Sequence, residues 1–380
     1  MAQVQPVRVA VIGCGAISDI YLKNITTRFS ILELAGVCDL NAALAAAASE
    51  KFGAPVLTLE QIEADESIEI VVNLTNPTAH YSVIRSLLEH GKNVYTEKVL
   101  AIHREEAREL VRLADEKGCL LCAAPDTFLG AGIQTARFAV ESGLIGEVTS
   151  CVAVLQRDAN LLAEKFPFTI REGGGIGIDV AVYYATELLS ILGPATSVFG
   201  MSDTYRPERK HYFTSKGMLG EPYRLETETL VAATVRFASG AVGSLHFNSA
   251  SIRHEDPTVL LFGTEGILYA PNPDAFGGEV RILAKGQEVP YTLPPTHAYD
   301  GNERGLGLAE MAWSLRKGRK PRASKEMACH AVELLTGAVE SGKTGRLYVM
   351  ETTFEKTPPL PRGFLDRGYA MSEPEAALAF

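Results

Sequence analysis

The sequence predicts an α/β protein. A doubly wound parallel sheet comes first, followed by an α+β domain on an open, mostly antiparallel sheet. Three observations predict it. Apolar strand-like runs alternate with helical segments from Val7 to Ala124, the mark of parallel strands joined by helical crossovers. From Val148 onward, alternating segments meet at turns such as Ser239-Gly240, Gly263-Thr264-Glu265 and Lys285-Gly286, the mark of antiparallel pairing. The first apolar run, Val7 to Ile12, ends in Gly13-Cys14-Gly15-Ala16-Ile17-Ser18 and a helix start, a strand–turn–helix unit.

That unit organises the first half. Gly13 and Gly15 stand where a chain turns tightly and a pyrophosphate can approach the backbone, and Ser18 is the small residue at the third position. A helix opening at Ala16 and Ile17 points free N–H groups and its positive end at a phosphate. The second strand, Leu32 to Cys38, ends at Asp39, about 20 residues on, where a carboxylate accepts from an adenosine ribose. A 2′-phosphate there meets like charge, and Leu40 and Asn41 supply no cation, so NAD is favoured over NADP. Asp39 as a plain helix cap is the alternative.

The next elements run in order. Residues 41–52 form an Ala-rich helix. The strand Ile68 to Leu74 ends in Thr75-Asn76-Pro77-Thr78-Ala79-His80, and a helix then runs to His90 with Gly91 as its stop. The strand Asn93 to Thr96 ends in Glu97-Lys98. An amphipathic helix spans Arg104 to Lys117 and a strand Cys119 to Ala124. Gly13, Asp39, Thr75 and Lys98 all fall at strand carboxyl ends, where such sheets bind ligands. Residues 1–125 are thus assigned to a dinucleotide-binding domain, 126–357 to a substrate and oligomerisation domain, and 358–380 to a polar, poorly ordered tail. In the second domain, helices are predicted over Ile133–Ser142, Asp179–Leu192, Asn302–Lys317 and Lys325–Ser341.

Bulk properties narrow the function. A 46% hydrophobic and 22% charged composition is that of an ordinary globular chain. A net charge of −10 argues against nucleic acid or an anionic membrane as main partner. There is no apolar run of membrane-spanning length and no signal-peptide pattern at Met1 to Pro6, so a cytoplasmic protein is expected. The six cysteines (Cys14, Cys38, Cys119, Cys122, Cys151 and Cys329) sit mostly in apolar strands, and no second pair follows Cys119-Leu120-Leu121-Cys122. They read as small hydrophobes, and no metal site is expected.

Four pieces together resemble the Gfo/Idh/MocA family of NAD(P)-dependent oxidoreductases: the glycine turn, Thr75 to His80, Glu97-Lys98-Val99, and the run Gly173-Gly174-Gly175 to Asp179 and Tyr183. The likeness spans residues 7 to 345. It implies a Rossmann domain joined to an α/β domain whose open sheet face mediates homo-oligomerisation, as a dimer or tetramer. It implies oxidation or reduction of a sugar or polyol. Two departures stand out. Val99 replaces the family's proline, and Tyr183 replaces its acid–base histidine, an arrangement similar to the glucose–fructose oxidoreductase and dihydrodiol dehydrogenase branches.

Hydride transfer from a secondary alcohol requires a base for the hydroxyl proton and a donor for the developing alkoxide. Lys98 is assigned as donor, Tyr183 as acid–base group, and Asp179, one helical turn earlier, as the group that orients a substrate hydroxyl or Lys98. A lysine cation close to Tyr183 is expected to lower its pKa. Gly13, Gly15, Ala16, Ile17, Asp39, Thr75, Asn76, His80, Glu97 and Lys98 are assigned to the cofactor. Lys98, Arg157, Asp179, Tyr183, Tyr184 and His246 are assigned to the substrate. Plainer roles stand beside these: Tyr184 instead of Tyr183 as the functional ring, Asp179 as a helix cap, His80 as a helix-start residue without chemistry. Two other functions share the fold. One is a glycosidase that oxidises its substrate transiently on a recycled NAD; the other is a non-catalytic NAD-binding sensor.

Overall fold

The structure, a computed structural model, describes residues 4–163, 166–212, 217–252 and 258–362. Its first sheet is parallel, built from β1 (Val7–Ile12), β2 (Leu32–Cys38), β3 (Ile70–Asn73), β4 (Asn93–Thr96) and β5 (Leu121–Ala123), in the order β2-β1-β3-β4-β5. A single parallel bridge from Val37 to Val56 extends the β2 edge. β1 and β3 are buried on both faces, as continuous β-branched runs require when helices cover both sides. The chain winds one way from β1 to β2 and the other from β1 to β3. The crevice at that reversal is where such sheets take a ligand.

Helices flank this sheet: α1 (Ser18–Thr27), α2 (Ala42–Phe52), α3 (Leu59–Ala64), α4 (Pro77–Glu89) and α5 (Arg104–Lys117). Their ends follow local chemistry. Asn41 caps α2 through Ala43 N–H, Thr58 and Gln61 form a reciprocal capping box on α3, and Gly118 ends α5 in the left-handed conformation. α5 buries Ala107, Leu110, Leu113 and Ala114, the spacing of one helical face.

The second domain comprises α6 (Ala131–Glu141), β6 (Val148–Gln156), α7 (Ala159–Ala163), α8 (Ala181–Leu192), β7 (Ala195–Asp203), β8 (Glu208–Lys210), β9 (Pro222–Arg224), β10 (Leu230–Phe237), β11 (Val242–Asn248), β12 (Thr258–Gly263), β13 (Gly266–Tyr269), β14 (Val280–Ala284), β15 (Tyr291–Leu293), α9 (Leu306–Lys317), α10 (Lys325–Thr344) and β16 (Tyr348–Val349). Among the described residues the large sheet has nine strands, ordered β15-β14-β13-β12-β6-β11-β10-β7-β16. All its pairs are antiparallel except β11 with β6. The prediction of an open, mostly antiparallel sheet therefore holds, with one parallel pair at its centre. β8 and β9 form a separate two-stranded hairpin that sequence reading missed; strands of three residues are too short to carry a periodic signal.

α8 is buried along its whole length. It lies between the sheet, where Tyr184 meets Phe247 edge-on at 5.6 Å, and the first domain. It begins differently from prediction. One π-helical turn over Ile176–Val180 precedes it, with Gly175 at the N-cap, so Asp179 is a first-turn residue and not the cap. α9 also starts later than predicted, at Leu306, because Asp126 takes the N–H groups of Gly305 and Gly307 at 2.9 Å each. The segment after β16 returns to the core. Leu360 is buried, Arg137 bonds the Thr357 carbonyl, and Arg322 bonds those of Pro358 and Pro359. The tail beyond residue 362 lies outside the described residues.

Candidate active site

The turn after β1 passes directly over the end of β3. Gly13 has φ +97°, and a Cβ there would lie 2.7 Å from the Leu74 carbonyl carbon and oxygen and 2.9 Å from Thr75 N. Only glycine fits that conformation in that space. Gly15 and Ala16 are exposed, and nothing lies within 4 Å of a Cβ at Gly15. No side chain caps α1, whose N-cap is Ile17, so its first turn is open to an anion. Ser18 turns inward and bonds the Gly15 carbonyl at 2.7 Å. Asp39 does not cap α2. Its two oxygens accept from Cys14 N–H and Asn41 N–H, each at 2.7 Å, which fixes the carboxylate beside the glycine turn. Thr75 is pinned by its hydroxyl to Asn73 at 2.7 Å. Asn76 is exposed at the start of α4, with no cap bond of its own. A bare turn, an open helix start and a fixed carboxylate suit a dinucleotide.

Lys98 follows β4 and reaches into the second domain. Its ammonium bonds the carboxylate of Asp179 and, at 3.1 Å, the Asp179 main-chain carbonyl. Both side chains are mostly buried, at 16% and 9% exposure. The same ammonium stands 5.7 Å from the centre of the Tyr183 ring. The structure thus brings Lys98, Asp179 and Tyr183 together. Asp179 also lines an open cleft with Arg157, Thr169, Thr227, Thr229 and Ser249 and with the apolar Ala159, Ile176, Val180 and Leu225.

Several assignments are corrected. The pKa of Tyr183 is pushed up, not down: burial outweighs the cations, and Asp274 and Glu97 add to it. Lys98 lies over the ring, and the cation whose charge works against that rise is Arg304. His80 does not line the cofactor site. It is fully buried, with Nδ1 2.6 Å from the Val99 carbonyl and Nε2 3.0 Å from the Thr75 carbonyl, and it ties together the two loops that carry Thr75 and Lys98. Burial lowers its pKa. Glu97 points inward too. One oxygen accepts from Tyr21 Oη at 2.7 Å and the other from Lys98 N–H at 3.0 Å, so it shapes the loop from beneath. Tyr184 packs in the core against Phe247, away from Lys98. His246 lies on the opposite sheet face from the cleft: Leu245 and Phe247 of β11 point to the buried side, His246 with Ser244 away from it. Alternation alone does not say which set faces inward.

Arg304 and Asp274 escaped the sequence reading. Arg304 bonds Asp274 at 3.0 Å and Asn302 at 2.9 Å, and Arg157 approaches Asp274 at 3.9 Å. Both sit in irregular segments without a motif. Among the described residues, no group of three or more His, Cys, Asp or Glu could hold a metal ion, the cysteines are free, and no helix is long and apolar enough to cross a membrane.

Comparison with known proteins agrees with this geometry. Residues 7–124 match the model of the oxidoreductase family with an NAD-binding Rossmann fold, and residues 133–269 match the C-terminal domain model of the same GFO/IDH/MocA family. The chain belongs to the Gfo/Idh/MocA family. Among its relatives, the D-glucoside 3-dehydrogenase of Escherichia coli is 29% identical over 62% of this chain and 68% of the relative. The inositol 2-dehydrogenase of Rhizobium meliloti is 26% identical over 77% and 82%. The levoglucosan dehydrogenase of Pseudarthrobacter phenanthrenivorans is 26% identical, over 60% of this chain and 63% of its own length. A solved levoglucosan dehydrogenase in complex with NADH and L-sorbose shares the fold at a TM-score of 0.79, with 19% identity over 91% of this chain and 99% of that one. The family members thus share both the Rossmann domain and the second sheet.

Proposed function

We propose that this family member is an NAD-dependent dehydrogenase or reductase that moves a hydride between the nicotinamide and a secondary hydroxyl or keto group of a sugar or polyol. The observation that carries the reading is the convergence of the Lys98 ammonium, the Asp179 carboxylate and the Tyr183 phenol at the carboxyl end of β4. NAD, when bound, supplies the hydride acceptor or donor. Gly13, Gly15, Ala16, Ile17, Asp39, Thr75 and Asn76 would hold it.

The chain's own residues do the rest. Lys98 steadies the negative charge that develops on the substrate oxygen. Asp179 fixes the ammonium by gripping it at the carboxylate and at the main chain. Tyr183 Oη takes the hydroxyl proton in oxidation and returns it in reduction. The buried phenol holds its proton well above neutral pH, a state suited to donating a proton in the reductive direction. Arg157 and Asp179 bring a guanidinium and a carboxylate to the cleft, groups that pair with the hydroxyls of a polyhydroxylated substrate. The open sheet face, where Phe199 and Met201 are exposed, supports self-association.

The test is a panel of sugars, polyols and their keto forms assayed by NADH absorbance. Turnover on a member of the panel that vanishes in Lys98→Ala supports the reading. Equal turnover in the wild type and Lys98→Ala overturns it.

A further inference from the structure

We propose that the substrate of this cleft carries a carboxylate and that Arg157 receives it, so that the protein acts on a sugar acid in preference to a neutral sugar. The inference rests on the reading of the protein as a sugar or polyol oxidoreductase and narrows its substrate class.

Arg157 is the residue after β6, and its main chain is fixed. Its N–H donates to the Asn248 carbonyl at 2.8 Å, and its carbonyl accepts from Ser251 N–H at 3.3 Å. The next residue, Asp158, makes an antiparallel bridge to Ala250. Arg157 lines the same cleft as Asp179, and its side chain is 33% exposed. The acids around it are already engaged. Asp179 holds Lys98. Asp274 accepts from Arg304 at 3.0 Å and stands 3.9 Å from Arg157, beyond hydrogen-bond reach. Asp158 accepts from Asn160 N–H at 2.9 Å, from the Asn160 side chain at 2.7 Å and from Tyr212 Oη. The cleft hydroxyls of Thr169, Thr229 and Ser249 spend their protons on the carbonyls of Phe166, Asp203 and Thr229.

The Arg157 guanidinium therefore brings to the cleft a planar fork of N–H donors with no acceptor of its own. A substrate hydroxyl can fill one of those donors, but it carries a proton that the fork cannot take. A carboxylate fills two donors in parallel and cancels the charge. A phosphate monoester carries roughly −1.5 to −2 at neutral pH, more than the single charge of Arg157 balances. The fork thus selects a carboxylate. The reacting hydroxyl of the same molecule meets the Lys98–Asp179 pair, and the carboxylate, on a carbon that does not react, only binds.

The test uses matched pairs that differ only in that charge: D-glucuronate with D-glucuronamide, D-galacturonate with D-galacturonamide, and D-gluconate with D-gluconamide. Binding to the NAD-loaded protein is read by calorimetry and turnover by NADH absorbance, in the wild type, Arg157→Gln and Arg157→Lys. In the wild type an acid of the panel is expected to bind about tenfold to hundredfold more tightly than its amide. Arg157→Gln is expected to bring that ratio close to one and to raise KM for the acid more than it lowers kcat. Arg157→Lys keeps the charge without the fork and recovers part of the preference, which a merely structural role would not produce. A wild type that binds no acid more tightly than its amide overturns the inference, and so does an Arg157→Gln that keeps the full preference. If Arg157→Gln does not fold, the wild-type pairs still decide it. Turnover confined to neutral members of the panel keeps the oxidoreductase reading and overturns the inference. Acids bound through Arg157 with no hydride transfer to or from any member keep the carboxylate site and count against the oxidoreductase reading.

Discussion

The ammonium of Lys98, just past β4, grips both the carboxylate and the main-chain carbonyl of Asp179 at the start of α8. This contact crosses from the first domain to the second, and its Asp179 end lines the cleft. Replacing Lys98 with Met removes the cation and keeps the bulk of the stem. Turnover is expected to fall by about 10²–10⁴-fold, with NAD affinity changed by less than about threefold. Steady-state kinetics and a fluorescence titration with NAD separate the two effects.

Gly13 is a second point of failure. Its φ of +97° and the 2.7 Å separation between a built Cβ and the Leu74 carbonyl leave alanine no place. Gly13→Ala is expected to cost about 1–3 kcal/mol of strain and to weaken NAD binding by about tenfold or more. Thermal melting with and without NAD reads both. An unchanged dissociation constant would remove the turn from the cofactor site.

Cofactor choice follows from Asp39, whose carboxylate is locked by the N–H groups of Cys14 and Asn41. NAD should bind more tightly than NADP. Asp39→Ser combined with Leu40→Arg exchanges a repelling charge for an attracting one, and should invert the preference by roughly tenfold to hundredfold. Calorimetric titration with both dinucleotides checks the sign.

A pH effect on stability follows from His330. Its Nε2 accepts from Ala195 N–H at 2.9 Å and its Nδ1 lies 2.9 Å from the Thr352 hydroxyl, an arrangement that requires the neutral ring. Burial pushes its pKa down to about 4, below the value of an unfolded histidine. The folded state therefore resists the proton that the unfolded state takes up. The contribution is fully present above the unfolded pKa, and is lost as pH falls from about 6.5 toward 4. The wild type should lose about 1–3 kcal/mol more than His330→Gln across that window, as read by denaturant unfolding at a series of pH values. Equal losses would assign the effect elsewhere.

What the sequence alone determined is the part written in local chemistry. The glycine turn, the carboxyl-end placement of Asp39, Thr75 and Lys98, and the i to i+4 pairing of Asp179 with Tyr183 need only strand and helix periodicity. Both sheets were legible for the same reason, since alternation and turn residues carry them. Tertiary structure decided the rest. Glu97 and His80 belong to recognisable motifs, yet their side chains turn inward because buried partners, Tyr21 and two main-chain carbonyls, claim them. His246 was misplaced because a period of two fixes alternation and leaves open which face is buried, and Tyr184 because α8 is buried all round. Arg304 and Asp274 lie far from Tyr183 in the chain, and only the tertiary fold brings their charges near the phenol. Side-chain direction and long-range charge depend on what packs opposite, and no local pattern encodes that.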